Sequence, residues 1–489
     1  MKGKKIVSTL LALLLLASLP VSAHAATWDI GKGDITVNAE SGGQTVRQGG
    51  GAAVPDSAPV ITGTSKENNV TINADSGQTA SVTLSGVNID VRDKGKAAVS
   101  TTGEGNVSIE LNGGSTLRSG YEHAGLEKNN GGSLTIADED KNGKLTAWGG
   151  QQGAGIGGGS GKDGSNIFIT GGGVNAIGGL AAAGIGGGLG GNGSNITISG
   201  GKVGATNGLN GAGIGGGQHG SGSNITISGG EVNAIGGDWS AGIGGGQRGS
   251  GSHITISGGE VNASGGKCGA GIGGGVYGKG EGITVSGNAQ LKVRGGSVHG
   301  DYGTGAGIGG GSYGTDGAEV EPDICALNPG GKIEYYAPGS SMSGTPNKTV
   351  TNPTGDFVWD SGTVTTPATC TGKGVRTYTC TSSSHTKTED IPALNHSFAG
   401  QEYVSDNNAT CEQDGTKTAK CVRYGTGDCM ETDTVTDTDS KLGHLFEDYV
   451  SNNDATCEQD GTKTARCVRY GTGGCMATDT VTDTDSKLG

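Results

Sequence analysis

The chain has 489 residues, of which 105 are glycine and only 4% are aromatic. Its formal net charge is −14 and it has no basic cluster, which excludes a nucleic acid or an anionic membrane surface as an expected partner. Collagen is also excluded, because the glycines do not recur at every third position but lie in a long repeat that carries aliphatic residues.

The first 25 residues have the pattern of a secretory signal peptide. Three lysines among the first five residues precede an apolar run over residues 6–16, and the small-residue site Ala23-His24-Ala25 follows. This order is typical of a segment that is cleaved on export, here after Ala25. The run is too short to span a bilayer stably, so we expect no membrane span and a secreted or cell-surface protein.

Residues 26–150 are predicted to form irregular β-helix coils and an N-terminal cap. The segments at residues 34–37, 70–72 and 134–136 alternate apolar with polar residues, and a weak copy of the later motif lies at residues 124–126. Such alternation indicates short strands with one buried face.

Residues 151–336 carry a strict repeat. The motif AGIGGG places isoleucine at intervals of 29 residues, and a further copy follows after 36 residues. The motif isoleucines are Ile156, Ile185, Ile214, Ile243, Ile272 and Ile308. Each unit has three short alternating segments separated by glycine-rich corners, and repetition at a fixed period indicates a solenoid. The predicted fold is therefore all-β, a parallel β-helix of about 29 residues per coil.

The segments TWDIGKGDITV, SIELNGGSTL and GAGIGGG…GSNITISGG resemble those of a group of secreted bacterial glycine-rich β-helix repeat proteins. The resemblance covers about residues 27–330. Proteins of this group are often described as carbohydrate-binding, so the resemblance implies a parallel β-helix and suggests a glycan ligand. It supplies no catalytic or ligand-binding residues.

After the array, residues 323–327 are predicted to form the closing strand, and residues 337–368, rich in Pro, Gly, Ser and Thr, to form a linker. Small repeats containing cysteine and histidine follow over residues 369–396, 397–444 and 445–489.

One tail repeat has the spacing C-x9-C-x7-C-x14-H, and its cysteines recur 46 residues later. The first copy is divergent, with Ser383 in place of the third cysteine, and its ending IPALNH resembles repeats near the ends of secreted proteins of Gram-positive bacteria. The residues concerned are Cys370, Cys380, His396, Cys411, Cys421, Cys429, His444, Cys457, Cys467 and Cys475. The sequence stops one residue before the next expected histidine, so we expect a truncated last repeat in a fragment of a longer protein.

Three cysteines and one histidine per repeat match a structural zinc site in ligand type and number. The alternatives are a disulfide framework, which is natural in an exported protein, and free thiols. Neither metal nor disulfides would imply catalysis. Cys268 and Cys325 stand alone in the sequence and are predicted to be lone thiols.

A variable corner position lies five residues after each motif isoleucine, and it is occupied by glycine in the first two coils. The later occupants are His219, Arg248, Tyr277 and Tyr313, and Trp239 lies in a neighbouring corner. Stacked coils would align these side chains along one edge, where they could stack on sugars and bind hydroxyl groups. The alternative is sequence drift in tolerant loop tips.

These features favour a noncatalytic secreted protein that binds glycan or cell-wall polymer, or that acts as an adhesive surface rod. The alternative is a polysaccharide lyase or glycosidase on a β-helix scaffold, for which Glu231 and Glu260 are the stacked carboxylates. An open ladder offers them no pocket, and clustered acids occur only near Glu319 and Glu321. A further alternative is a spacer for a C-terminal domain.

Overall fold

The computed structural model describes residues 25–352, 359–381, 386–426 and 429–489. The predicted signal peptide lies outside these residues except for Ala25. The chain divides into two compact units, here called the β-helix (residues 25–352) and the tail (residues 359–489). Within the described residues, no helix is long and apolar enough to cross a membrane.

The β-helix consists of three sheets, and each regular coil adds a strand to every sheet. The first sheet contains Thr27–Asp29, Val60–Thr62, Thr79–Ser85, Asn106–Asn112, Leu134–Ala137, Gly164–Ile169, Gly193–Ile198, Gly222–Ile227, Gly251–Ile256 and Gly280–Val285. The second contains Ile35–Glu40, Gly43–Gln48, Val54–Pro55, Val70–Ala74, Val99–Thr102, Leu126–Lys128, Ile156–Gly157, Ile185–Gly186, Ile214–Gly215, Ile243–Gly244, Ile272–Gly273 and Ile308–Gly309. The third contains Thr64–Ser65, Asn88–Asp90, Gly114–Arg118, Lys144–Trp148, Gly173–Ile177, Lys202–Thr206, Glu231–Ile235, Glu260–Ser264, Gln290–Arg294, Lys332–Tyr335 and Lys348–Thr351. A short 3-10 helix, Ile30–Lys32, lies near the start.

Residues 29 positions apart in the array lie directly over one another. Ile185 pairs in parallel register with Ile214, which pairs with Ile243, and all three side chains are fully buried. The neighbouring column of Val203 and Val232 is built in the same way. Each buried aliphatic side chain contributes about 1.5–3 kcal/mol, and it does so against the coils above and below. The predicted parallel β-helix is confirmed.

Glycine allows the backbones of consecutive coils to contact one another at the motif corner. Gly186 has φ of 132°, and a Cβ placed there would lie 2.0 Å from the carbonyl oxygen of Gly215 in the next coil. At Gly188, a Cβ would lie 1.9 Å from the carbonyl oxygen of Gly159 in the preceding coil. Backbone therefore packs on backbone, which no other residue type permits.

Antiparallel hairpins end two of the sheets. Ile35–Glu40 pairs antiparallel with Gly43–Gln48 in the second sheet, and Lys332–Tyr335 pairs antiparallel with Lys348–Thr351 in the third. Residues 323–327, predicted to close the β-helix, form only isolated bridges. The strand Lys348–Thr351 lies within the predicted linker, so the β-helix continues beyond the boundary that we predicted.

The two lone cysteines of the β-helix differ in state. Cys268 is buried and free, with its Sγ 3.6 Å from the carbonyl oxygen of Ser297. Cys325 is disulfide-bonded, so the prediction of a lone thiol is wrong at this position. Its spacing in the sequence gives no partner, because it belongs to no repeat.

The described residues of the tail form three separate antiparallel sheets of three strands each. They are Thr363–Thr366, Gly374–Thr379 and Thr386–Ile391, then Val404–Ser405, Thr416–Lys420 and Thr432–Thr436, then Val450–Ser451, Thr462–Arg466 and Thr478–Thr482. Among the described tail residues, the buried apolar side chains are those of cysteines and of Ala419 and Ala465. The tail therefore has little aliphatic core.

Candidate functional site

The variable corner of the array holds the backbone in the left-handed region. Gly161 and Gly190 have φ of 69° and 75° there, and His219, Arg248 and Tyr277 have 67°, 66° and 66° in the equivalent position. Glycine adopts this conformation without strain, whereas a residue with a side chain is destabilised in it. Three successive coils thus carry a large polar or aromatic side chain where glycine would fold more easily. Strain of this kind points to a functional hypothesis.

Arg248, Tyr277 and Tyr313 come together around one depression of the surface. The ring centroids of Tyr277 and Tyr313 are 4.8 Å apart, and the Arg248 guanidinium lies 5.7 Å from the centroid of the Tyr277 ring. The two tyrosines are 42% and 69% exposed. The depression has a volume of about 670 Å³ and also includes Lys279 and Ala318 in its lining. His219 lies in the same row of corners but does not line it.

Three further rings, those of Tyr302, Trp239 and His299, extend this cluster. The hydroxyl groups of Tyr277 and Tyr302 are 2.8 Å apart, and the Tyr302 ring lies edge-on to Trp239 at 5.7 Å. Trp239 also contacts His299, with ring centroids 5.0 Å apart. The resulting row of five rings is here called the aromatic edge: Tyr313, Tyr277, Tyr302, Trp239 and His299.

Sequence reasoning missed His299 and Tyr302. Both lie in the coil between Ile272 and Ile308, which has 36 residues instead of 29. The extra residues break the period, so the repeat could not place these side chains over a known position. The unusual length of this coil was the signal that could have identified them.

The aromatic edge offers faces for stacking and polar groups for hydrogen bonds. The hydrogen bond with Tyr302 raises the pKa of Tyr277, so the Tyr277 phenol is neutral at physiological pH. Arg248 and Lys279 supply positive charge beside the rings. Exposed rings with convergent polar groups can hold the apolar face of a sugar while binding its hydroxyl groups.

Two of the carboxylates considered for catalysis, those of Glu231 and Glu319, have structural partners. Glu231 stacks in register on Glu260, and its carboxylate forms an ion pair of 2.8 Å with Lys202 on the exposed strand ladder. The Glu319 carboxylate accepts hydrogen bonds from the backbone N–H groups of Gly307 and Ile308, so it caps the last motif strand. These contacts explain the presence of Glu231 and of Glu319 without a catalytic role.

In the tail, two groups of three cysteines and one histidine form across repeat boundaries. In each group the candidate ligand atoms all lie within 4.8 Å of one another. One group contains Cys370, His396, Cys421 and Cys429, and the other contains Cys411, His444, Cys467 and Cys475. Each group takes its first cysteine and its histidine from one repeat and two cysteines from the next. The grouping that we predicted, with all four ligands in a single repeat, is therefore wrong, although the ligand types are the same.

Two predicted cysteines lie outside both groups. Cys457 is exposed and free, and Cys380 is disulfide-bonded. Cys457 is the counterpart of Cys411 in the last repeat, and a third group would need cysteines from a following repeat. Cys380 occupies the position of Cys421 in the divergent first repeat.

The spacing of the grouped sulfur atoms suits a metal better than a disulfide. The Sγ atoms of Cys370 and Cys421 are 3.9 Å apart, and those of Cys411 and Cys467 are 3.8 Å apart. A disulfide requires about 2.05 Å. Tetrahedral zinc with Zn–S bonds of about 2.3 Å places its ligands about 3.8 Å from one another.

An arginine fixes one cysteine of each group. The Nε of Arg423 donates to the Cys370 Sγ at 3.3 Å, and the Nε of Arg469 donates to the Cys411 Sγ at 3.4 Å. Arg469 also donates to the carbonyl oxygens of Leu442 and Gly443, just before His444. Each arginine therefore ties a cysteine of the preceding repeat to the loop that carries the histidine, as outer-shell groups do at metal sites.

One cysteine in each group favours the thiolate form. Hydrogen bonding from the backbone N–H of Arg423 lowers the pKa of Cys421 to about 6. The backbone N–H of Arg469 likewise lowers the pKa of Cys467 to about 6. Thiolates are the form in which cysteine binds metals.

Comparison with known proteins supports the architecture. A family model described as a beta helix repeat matches residues 141–160, 196–218, 225–247 and 254–276. Together with the stacked coils, this match supports a parallel β-helix built from repeated coils. No curated protein and no solved structure matches the chain.

Proposed function

We propose that this is a secreted, noncatalytic β-helix protein that binds glycan or cell-wall polymer through the aromatic edge. The observation that carries the proposal is the row of five rings flanked by Arg248. Buried anchors of Tyr, Trp and Arg dominate binding energies at interfaces, and here such residues are gathered on an open surface. In a cell-surface protein that acts as an adhesive rod, the same aromatic edge would form the adhesive contact.

A glycan array with the full chain tests this proposal. We expect binding to a limited set of glycans, with about tenfold weaker binding for Tyr277→Ala and for Arg248→Ala. Tyr121→Ala is the matched control, because Tyr121 is 52% exposed but lies in another coil, away from the aromatic edge. Absence of glycan binding, or equal loss in the control, would remove the ligand from the proposal.

The rival function is a polysaccharide lyase or glycosidase. The pairing of Glu231 with Lys202 and the capping role of Glu319 support the noncatalytic proposal. Incubation with pectin-like and other polysaccharides, followed by a reducing-sugar assay, decides between the two. Release of oligosaccharides would overturn our choice.

For the tail, we propose that each four-residue group holds a structural zinc ion. Three buried cysteine sulfurs and one imidazole, with an arginine that donates to one sulfur of each group, fit zinc, which would contribute cohesion rather than catalysis. Because each group draws on two repeats, the ion would join consecutive repeats of the tail.

Metal analysis of the full chain tests both the ion and the grouping. We expect two zinc ions per chain, and one after Cys421→Ser. The control Cys457→Ser keeps two, because Cys457 lies outside both groups. The double variant Cys411→Ser/Cys421→Ser loses both ions if ligands are shared across repeats, but only one if each repeat forms its own site.

A further inference from the structure

A second polar site lies in the coil just before the regular array. In the second sheet, Leu126 pairs in register with Ile156, and Glu127 pairs with Gly157. Each later coil has three glycines after the motif isoleucine, whereas this coil has Glu127, Lys128 and Asn129 after Leu126. Three polar side chains thus occupy positions where every other copy of the motif has none.

These side chains line a cavity of about 490 Å³, which is within the range of small-molecule sites. Its charged and ionisable lining residues are Glu122, His123, Glu127, Lys128, Lys162 and Asp163. Gly159 of the next coil forms part of the wall, and a Cβ there would lie 3.0 Å from the Oε2 of Glu127. Because Gly159 has no side chain, the space beside the Glu127 carboxylate stays open.

Lys128 is a buried cation without a carboxylate partner in the described part of the chain. Its residue is 5% exposed, and its Nζ donates to the carbonyl oxygen of Asn130 at 2.6 Å. No described carboxylate lies within the 4.0 Å of an ion pair. Burial lowers the pKa of Lys128 to about 8, so the ammonium form still dominates at pH 7. A buried charge of this kind is stabilised when an anion joins it.

The adjacent carboxylate does not fill that role. Glu127 is 6% exposed, and its Oε2 accepts a hydrogen bond from the backbone N–H of Ala124 and lies 2.8 Å from the Nδ1 of His123. Its Oε1 accepts a hydrogen bond from the side-chain amide of Asn129 at 2.7 Å. These contacts fix the carboxylate in the cavity wall as an acceptor for ligand hydroxyl groups.

The mixed charge of the lining limits the ligand. Three carboxylates, Glu122, Glu127 and Asp163, stand against two lysines, Lys128 and Lys162. Asp163 is turned to the next coil, where it accepts a hydrogen bond from the backbone of Asn192 at 2.7 Å. A ligand with a single negative charge suits this balance better than a dianionic phosphate, which the remaining acids would repel.

We propose that this cavity binds a sugar acid, with its carboxylate on the Lys128 ammonium and its hydroxyl groups on Glu127. The ligand class follows from a buried cation that needs one anion beside a fixed acceptor that needs hydroxyl donors. This site is independent of the aromatic edge and of the tail metals.

Titration of the full chain with galacturonic and glucuronic acid, with galactose and glucose as neutral counterparts, tests the proposal. Calorimetry measures binding while circular dichroism confirms folding. We expect the acids to bind at least about tenfold more tightly than the neutral sugars, and Lys128→Met to remove this preference. Lys202→Met, at an exposed lysine that does not line this cavity, is the matched control and keeps it.

A measurement on the unaltered chain covers the case in which Lys128→Met does not fold. The sugar carboxylate is ionised throughout the range from pH 7 to pH 9.5, whereas Lys128 loses its proton near pH 8. Binding of the acids should therefore weaken severalfold over this range, and in Lys202→Met as well. Equal affinity for acids and neutral sugars, or acid binding that survives Lys128→Met, would overturn the proposal.

Discussion

The β-helix and the tail are both built from repeats, but they join consecutive repeats by different means. In the β-helix, columns such as Ile185, Ile214 and Ile243 bury aliphatic side chains against the coils on either side. In the tail, each three-stranded sheet is complete in itself, and the buried groups that link repeats consist mainly of cysteine. A repeat period therefore shows that units are alike, whereas the chemistry of the repeated residues shows how the units hold together.

A single coil of the β-helix and a single tail repeat also differ in which of their interactions they can form alone. A coil of the β-helix has unpaired strand edges until a neighbour adds to each sheet. A tail repeat pairs its own strands but holds only part of a ligand set. Consecutive tail repeats thus need each other for a metal site rather than for hydrogen bonds within a sheet.

The largest expected effect that separates the two regions is metal removal. A strong chelator should unfold much of the tail while the β-helix stays folded, because structural zinc contributes about 10–16 kcal/mol in zinc-finger peptides at pH 7. Hydrogen exchange resolved by residue would show loss of protection in tail strands such as Thr416–Lys420 and Thr462–Arg466, and no loss in the β-helix. Unchanged tail protection would contradict the metal proposal.

A substitution in a buried aliphatic column should destabilise the β-helix and leave the tail unaffected. Ile214→Ala should lower the free energy of unfolding of the β-helix by about 2–5 kcal/mol, because it leaves a cavity in a fully buried column. Ile235→Ala, at a position 38% exposed, should change it by less than about 0.5 kcal/mol. Urea unfolding of both variants measures the difference, and equal costs would argue against the column as the source of stability.

A smaller effect tests the close approach of the coils. Gly188→Ala should lower the free energy of unfolding by about 1–3 kcal/mol, because the new Cβ would meet the Gly159 carbonyl oxygen at 1.9 Å. Gly190→Ala is the control: its φ is 75° and nothing lies within 4 Å of the added Cβ. It should cost only about 1 kcal/mol. Thermal unfolding of the two variants measures these losses of stability. Equal losses would contradict the argument that the coils are too closely packed at Gly188 for a side chain.

A pH-dependent effect distinguishes the irregular coil from the regular ones. Burial lowers the pKa of Lys128 from 10.5 to about 8, so between these values the unfolded chain binds more protons than the folded chain. The contribution of Lys128 to stability should therefore rise with pH from about 8 to 10.5 and be constant below 8. The difference between the unaltered chain and Lys128→Met, measured by urea unfolding at several pH values, should shrink across this window.

The repeat made most of the fold predictable from sequence. A period of 29 residues with alternating apolar positions fixes which residues stack, and Ile185 and Ile214 pair as that period requires. The corner row of His219, Arg248 and Tyr277 followed from the same period. Its function as a ligand site stays a prediction.

What the sequence did not supply lies where the period fails or is ambiguous. Tyr302 and His299 are in a coil of irregular length, so no stacked equivalent identified them. The copy at Leu126 was recognised as a coil, but the polar residues that replace glycine beside it were not recognised as a site. In the tail, spacing alone cannot tell whether Cys411 joins Cys421 of its own repeat or Cys467 of the next.

The antiparallel hairpins of the second and third sheets have a consequence for growth of the solenoid. Strands that reverse direction, such as Gly43–Gln48 and Lys348–Thr351, present another molecule with a pattern that its parallel coils do not match. The hairpins therefore disfavour growth of these two sheets by association end to end. Duplication of one 29-residue unit between the two hairpins would extend the molecule by a single rung of about 4.8 Å and leave both termini of the solenoid intact.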